Sequence, residues 1–263
     1  MAKRAIVFGL FLGTALAGQS LFSAAQESEA AAQSSPLRYE IWVELDDAQK
    51  MLRGREEVFW RNQTREGVPD MWFHLYYNAF KNEKSAYFEE QREENPSRRR
   101  VEKGSWGWID ITRIGLADGT DLKPTLEYMT PDTPAHPDDQ TVARVLFPSA
   151  LQPGEEVHLR VEFEAKIPKT FSRSGYYQNS YFIAQWFPKP GVYEEGKGWN
   201  CHQYHNNSEF FADFADFAVH ISVPASFVVG ASGNEVSAVS APDGKTVTYT
   251  FEQGRIHDFA WTA

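Results

Sequence analysis

Cysteine is nearly absent from this chain of 263 residues: Cys201 stands alone, so no disulfide forms within the chain and the fold has to rest on apolar burial. Three catalytic signatures are missing altogether. There is no His-Glu-x-x-His, no Gly-x-Ser-x-Gly and no glycine-rich phosphate loop, which removes the local marks of a metalloprotease helix, a nucleophile elbow and a nucleotide cradle. Positive charge is scarce, with 26 Lys and Arg against 36 Asp and Glu for a formal net charge of −10. So acidic a chain repels polyphosphate and argues against a nucleic-acid partner. No apolar run reaches the roughly 20 residues of a membrane-spanning helix, and beyond the N-terminal segment no helical period is sustained.

The longest apolar run, Ala5 to Ala17, covers 13 residues behind Lys3 and Arg4 and is broken by Gln19 and Ser20. That is the pattern of an export signal, too short for an anchor. Ser23-Ala24-Ala25 supplies small residues for cleavage before Gln26, and Ala15-Leu16-Ala17 is a second site; no cysteine lies near either for lipid attachment. Cleavage after Ala25 leaves 24 basic and 36 acidic residues, a net charge of −12. The expectation is an exported protein, periplasmic or extracellular, with no stable membrane span. Residues 26–36, rich in Ala, Ser, Gln and Glu and without an aromatic, read as a disordered leader, and residues 37–263 as one large domain.

What the chain does have is period two. Tyr39, Ile41, Val43 and Leu45 share one face, with Glu40, Trp42 and Glu44 on the other, as in a half-buried strand. Met51 to Asn62 continues as a strand in which Gly54 suggests a bulge or bend, and Asp70 to Tyr77 follows as its hairpin or meander partner. Further strands are expected at Trp108–Leu116, Leu122–Tyr128, Thr141–Phe147, Glu156–Ala165, Tyr181–Trp186, Phe214–Val223, Phe227–Ala231, Thr246–Phe251 and Phe259–Ala263. Asp118-Gly119, Gln152-Pro153-Gly154 and Pro242-Asp243-Gly244 supply turns between them. The fold class that results is all-β. Lys81 to Lys103, which ends in Arg98-Arg99-Arg100, and Thr130 to Gln140 read as charged surface loops.

Chemistry-bearing residues crowd between Phe182 and Pro224. Cys201, His202 and His205 form a soft-ligand set of the kind that binds zinc. Adjacent Cys201 and His202 nevertheless point to opposite faces of an extended segment, so the spacing favours a packed loop with hydrogen-bonded histidines and a buried thiol. Glu209, Asp213 and Asp216, with Trp186 and Trp199 as stacking platforms, make a glycosidase-like set, although acids at a strand entrance ordinarily solvate a turn. Two glycosylation sequons occur, Asn62-Gln63-Thr64 and Asn206-Asn207-Ser208.

The order of landmarks resembles the N-terminal domain of the aminopeptidase N family of zinc metallopeptidases, the gluzincins. Tyr39–Thr64 resembles the family's opening pair of strands and Asp70–Phe80 its next strand and loop. Trp106–Ile111, Thr141–Pro148, Leu151–Pro168 and Phe227–Glu235 follow in the expected order. The likeness is strongest for a secreted bacterial branch, in which Gln185-Trp186-Phe187-Pro188-Lys189 and Trp199-Asn200-Cys201-His202-Gln203 stand where other relatives carry Arg-x-x-Phe-Pro-Cys-x-Asp-Glu-Pro. The Asp-Glu-Pro motif itself is missing here, so only the segment's position carries over.

This resemblance implies a saddle-like, multi-sheet β-sandwich packed on a thermolysin-like catalytic domain, with one margin in the peptide cleft. Family members present a Gln from this domain to the substrate's amino end, and Gln185 is the matching position. The zinc ligands, the general base and the catalytic Tyr belong to the following domain, so no catalytic residue, metal ligand or cofactor is assigned here and the chain is expected to be inactive alone. The implied partners are that peptidase domain, in cis, and a peptide N-terminus. The alternative is a free-standing β-sandwich that binds glycans or peptides through Trp106, Trp108, Trp186 and Trp199.

Overall fold

Alternation along Leu37–Asp46 (β1) buries Leu37, Tyr39, Ile41, Val43 and Leu45 and turns the intervening residues outward, because successive side chains of a strand point to opposite faces. The computed structural model describes residues 35–96, 102, 104–132, 138–169, 172–208 and 210–263. The signal and leader assignments up to residue 34, the arginine triplet and Glu209 lie outside these.

Strands are numbered along the chain. β1 lies at the heart of a seven-stranded sheet with Met51–Arg61 (β2), Trp108–Leu116 (β4), Glu156–Lys166 (β7), Ala215–Pro224 (β13), Asn234–Ser240 (β15) and Thr246–Ile256 (β16). Its order is β15-β16-β13-β1-β2-β7-β4. Only β1 and β13 run parallel, which requires a long crossover, and the crossover holds most of the remaining structure. Val68–His74 (β3), Glu127–Met129 (β5), Val142–Leu151 (β6) and Lys189–Pro190 (β10) form a second sheet. Gly175–Tyr177 (β8), Ser180–Ile183 (β9), Gly230–Ala231 (β14) and Trp261–Thr262 (β17) form a third, and Val192–Glu194 (β11) pairs with Gly198–Asn200 (β12) as a separate ribbon. Tyr39, Ile41, Val58, Phe163, Val219 and Ile221 from the large sheet join Met71, Phe73 and Val145 from the second, and Trp186 and Trp261, in one apolar core. The all-β, sandwich-like class follows from this one-sided burial.

Four expectations need correction. β2 and β3 are not a hairpin: β2 pairs with β1 and β7, whereas β3 crosses to the second sheet. Asn62 makes that corner, with Nδ2 donating to the carbonyls of Glu66 at 2.8 Å and Leu151 at 2.9 Å while Oδ1 accepts from the amide and hydroxyl of Thr64. Its side chain is buried and fully engaged, so this sequon is not an acceptor in the folded chain. The Lys81–Lys103 segment is more than a loop: Ala86–Glu94 is a helix (α1), capped by Ser85 and burying Ala86, Tyr87, Phe88 and Gln91. Leu122–Tyr128 is a 3₁₀ turn, Lys123–Thr125, followed by the short β5.

The fourth correction concerns Gly54. It makes no bulge; β2 keeps unbroken register on both sides, with Gly54 opposite Val43 and Phe163. A Cβ there would lie 2.2 Å from the ring tip of Phe163. The glycine is therefore a slot for a buried ring. Gly54→Ala should destabilise the chain by about 1–3 kcal/mol through overpacking, as read by urea unfolding, and Phe163→Leu added to it should recover part of that loss.

Glu56 occupies the buried face of β2, opposite Ile41 and Val161, with 1% exposure and no hydrogen bond to either carboxyl oxygen among the described residues. Desolvation pushes its pKa well above the usual carboxylate value, so the folded state holds a proton that the unfolded chain releases. Above the unfolded pKa the native state binds more protons, and stability falls as pH rises, by about 1.4 kcal/mol per unit until the folded pKa is reached. Glu56→Gln should therefore unfold at higher urea than the parent at pH 7–8, with the gain disappearing near pH 4.

Candidate functional site

The segment after β9 builds a continuous wall. Ser174 Oγ donates to the carbonyl of Ala184 at 2.5 Å and accepts from its amide at 2.9 Å, which closes β9 and sets the chain direction. Gln185 follows with φ = 56°, the left-handed region that non-glycine residues rarely enter. Trp186 then drives into the core, fully buried, with its indole donating to the carbonyl of Phe259 at 3.0 Å. Phe187 packs edge-on against Tyr39 at 5.4 Å and Phe217 at 5.9 Å. Gln185 is thus turned by two anchors, is 8% exposed, and makes no side-chain hydrogen bond among the described residues. Its amide remains available.

Beyond it, β10 pairs Lys189 with His74 and Pro190 with Phe73. The Lys189 side chain is 2% exposed and its ammonium lies 2.9 Å from Asp258. Burial lowers its pKa, against the opposing pull of Asp258; the pair survives because the partner is close, and removing one charge would strand the other. Asp213 is half-buried, and desolvation raises its pKa.

The proposed ligand and acid sets come apart. Cys201 faces inward, with Sγ 3.5 Å from His74 Nδ1, whereas His202 faces out and meets Asp132 at 2.6 Å. His205 lies between Glu90 at 2.5 Å and Asp132 at 3.4 Å. Among the described residues no three His, Cys, Asp or Glu side chains converge as a metal site. Asp216 is a structural acceptor, taking the hydroxyl of Ser35 and the amide of Arg255, each at 2.9 Å. Trp186 offers no stacking face, since it is enclosed by Phe163, Phe187 and Trp261. Trp199 is half-buried, its indole donating to Asp70 at 2.8 Å and its ring set against Trp60 and Tyr193. The four tryptophans of the binding-module alternative therefore do not make one platform. Asp132, Glu90 and His74, which join the histidines and the thiol, escaped sequence reading because they come from 70 to 127 residues away.

No protein-family model matches this sequence, nor does any curated protein. Solved structures do match. A mutant M1 zinc metallopeptidase from Deinococcus radiodurans aligns over 87% of this chain and 42% of its own, with a TM-score of 0.50 and 14% identity. The same coverages, score and identity hold for that organism's enzyme bound to a Tyr-Ser-Ala substrate. A two-domain M1 zinc metallopeptidase bound to L-tryptophan gives a TM-score of 0.50 and 14% identity over 87% of this chain and 43% of its own. This chain shares its fold with part of these M1 zinc metallopeptidase structures. The chain spans about two-fifths of the length of those structures, and among its described residues no helix is long and apolar enough to cross a membrane.

Cys201 is a buried thiol. Burial pushes its pKa well up, and His74 beside it stays neutral, its pKa lowered to about 3 by burial and then by the charge of Lys189, so no thiolate–imidazolium pair forms. Alkylation by iodoacetamide at pH 8 should be slow in the native chain and rapid in urea; fast native labelling would show that the segment opens.

Proposed function

We propose that this chain is the non-catalytic N-terminal domain of an exported zinc aminopeptidase-like metallopeptidase, forming one wall of the peptide cleft and docking on a thermolysin-like, zinc-bearing domain. The observation that carries this reading is Gln185: a side chain with uncommitted amide atoms, on a left-handed backbone position fixed by Ser174 and Trp186, at the end of a sheet with an apolar outer face. In that sheet Phe182 and Tyr177 are 57% and 63% exposed. Large uncovered aromatics beside a preset polar group are what a domain interface next to a binding cleft requires.

Gln185 supplies a carbonyl acceptor for the peptide's ammonium group, a charge-assisted bond that orients the substrate. The metal ligands and general base would come from the partner domain, since hydrolysis needs both and this reading assigns neither here.

The coding sequence beyond Ala263 should contain an in-frame His-Glu-x-x-His, and in the complete enzyme Gln185→Ala should lower kcat/KM for free-amino peptides by about tenfold to a hundredfold, the loss of one charged hydrogen bond. Hydrolysis of N-acetylated peptides should be unchanged. Chelator-sensitive aminopeptidase activity in the 263-residue chain by itself, or equal losses on both substrate types, would overturn the assignment.

A further inference from the structure

Residues Cys201 to Ser208 form neither helix nor strand, with a single turn at Asn206 and Asn207. Side chains from distant elements hold it. The amide of Gln203 donates to Asp132 at 2.9 Å and that of Tyr204 to Thr141 Oγ1 at 3.2 Å. On the α1 side, the Asn206 amide donates to Glu90 Oε2 and its Nδ2 to Glu94, both at 2.7 Å, while Asn207 Nδ2 also reaches Glu94.

His205 joins the two groups of contacts. Its Nδ1 faces Glu90 Oε1 at 2.5 Å and its Nε2 faces Asp132 Oδ2 at 3.4 Å. A carboxylate can only accept, so both ring nitrogens must carry hydrogens for both contacts to be bonds. The geometry describes an imidazolium bridging two anions that come from α1 and from the chain after β5.

We propose that His205 is a pH-sensitive clasp that fastens the 201–208 segment to α1 and to Asp132 while the ring holds both protons, and releases it when one is lost. The proposal stands on this geometry and does not rest on the peptidase reading. Among the described residues, His74, Tyr76, His202 and Tyr204 line the same cavity as His205 and Asp132, and Glu94 on α1 holds the neighbouring Asn206. The carboxylates Glu90 and Asp132 are the groups in direct contact with the ring.

The titration runs in the same direction. Burial opposes the charge of His205, but hydrogen bonds to Glu90 and then Asp132 outweigh it and raise its pKa above the usual 6.5. A raised imidazole pKa gives stabilisation that is complete below the unfolded value and lost as pH climbs through the folded one. Burial also opposes the charge of Asp132, but its bonds to His202, the Gln203 amide and His205 outweigh this and lower its pKa from the usual carboxylate value, so its contribution is lost on the acid side. The clasp is closed between these limits and opens on the alkaline side.

Amide hydrogen exchange of the 263-residue chain between pH 5.5 and 9, corrected for the intrinsic rate, tests this directly. Protection of residues 202–208 should fall about tenfold for each unit by which the folded pKa exceeds the unfolded one. In His205→Gln it should be low and flat with pH, and in Glu90→Gln the release should move toward ordinary imidazole pH. His158→Gln, which removes an imidazole paired with Glu57 on the far sheet face, should behave as the parent. Nitrogen-15 shifts of the ring should show both nitrogens protonated at neutral pH, and this measurement decides the matter if His205→Gln fails to fold. A ring that titrates at or below about 6.5, a pH-independent profile, or parental protection in His205→Gln would overturn the clasp.

Discussion

Packing one face of a seven-stranded sheet against a second, smaller sheet leaves the other face in water, and most of the domain's structure follows from that asymmetry. Each central strand must alternate, and each departure from alternation on the buried face has to be accommodated. Gly54 accommodates Phe163 by having no side chain. Glu56 is accommodated by staying protonated, a neutral carboxyl where an ionised one would be prohibitively costly. On the wet face the same alternation brings cations over rings: Arg55 lies 3.5 Å from the Trp42 centroid, with His220 stacked beside it at 5.1 Å. Such pairs cover apolar area without a second layer.

The parallel pairing of β1 with β13 is the other organising constraint. Antiparallel neighbours can be joined by a tight turn, but a parallel pair needs a return path, and here that path contains the second sheet, α1 and the 201–208 segment. Residues that look like chemistry in the linear sequence are spent on tying this excursion down. Asp216 holds the start of β1 through Ser35, Asn62 turns the corner between sheets, and Asp258 neutralises Lys189 beneath β10. The dense run of His, Cys and acids therefore yields contacts with distant partners.

Strands with one wet face were the legible part. β4 runs from Trp108 to Leu116 as its alternation indicates, and β1, β7 and β13 lie within a residue or so of their expected bounds. β15 was not legible because it is an edge strand exposed on both faces, so it carries no alternating signal. The helix α1 was hidden for a related reason: Ala86, Tyr87, Phe88 and Gln91 are buried, but its charged remainder gives no apolar stripe, and its start is stabilised from outside by Asp139, which accepts from the Ala86 amide at 2.9 Å. Of the candidate site, Gln185 was picked out by likeness to a family. Its left-handed backbone, set by Ser174 eleven residues earlier and Phe259 seventy-four later, leaves no local mark in the sequence.

The backbone of Gln185 is set from within the domain. A non-glycine residue in the left-handed region costs on the order of 1 kcal/mol or more, and persists only where its surroundings over-determine it. Here the determinants all lie inside the β domain: the reciprocal Ser174–Ala184 bonds, the Trp186 indole on Phe259, and the pairing of Ile183 with Trp261. Nothing from a second domain is needed to set the direction of Gln185. A side chain so preset needs no ordering when a group approaches it. The aromatics uncovered on the same sheet, Phe182 and Tyr177, take no part in these contacts, so the orientation of Gln185 is left to the buried side of the fold.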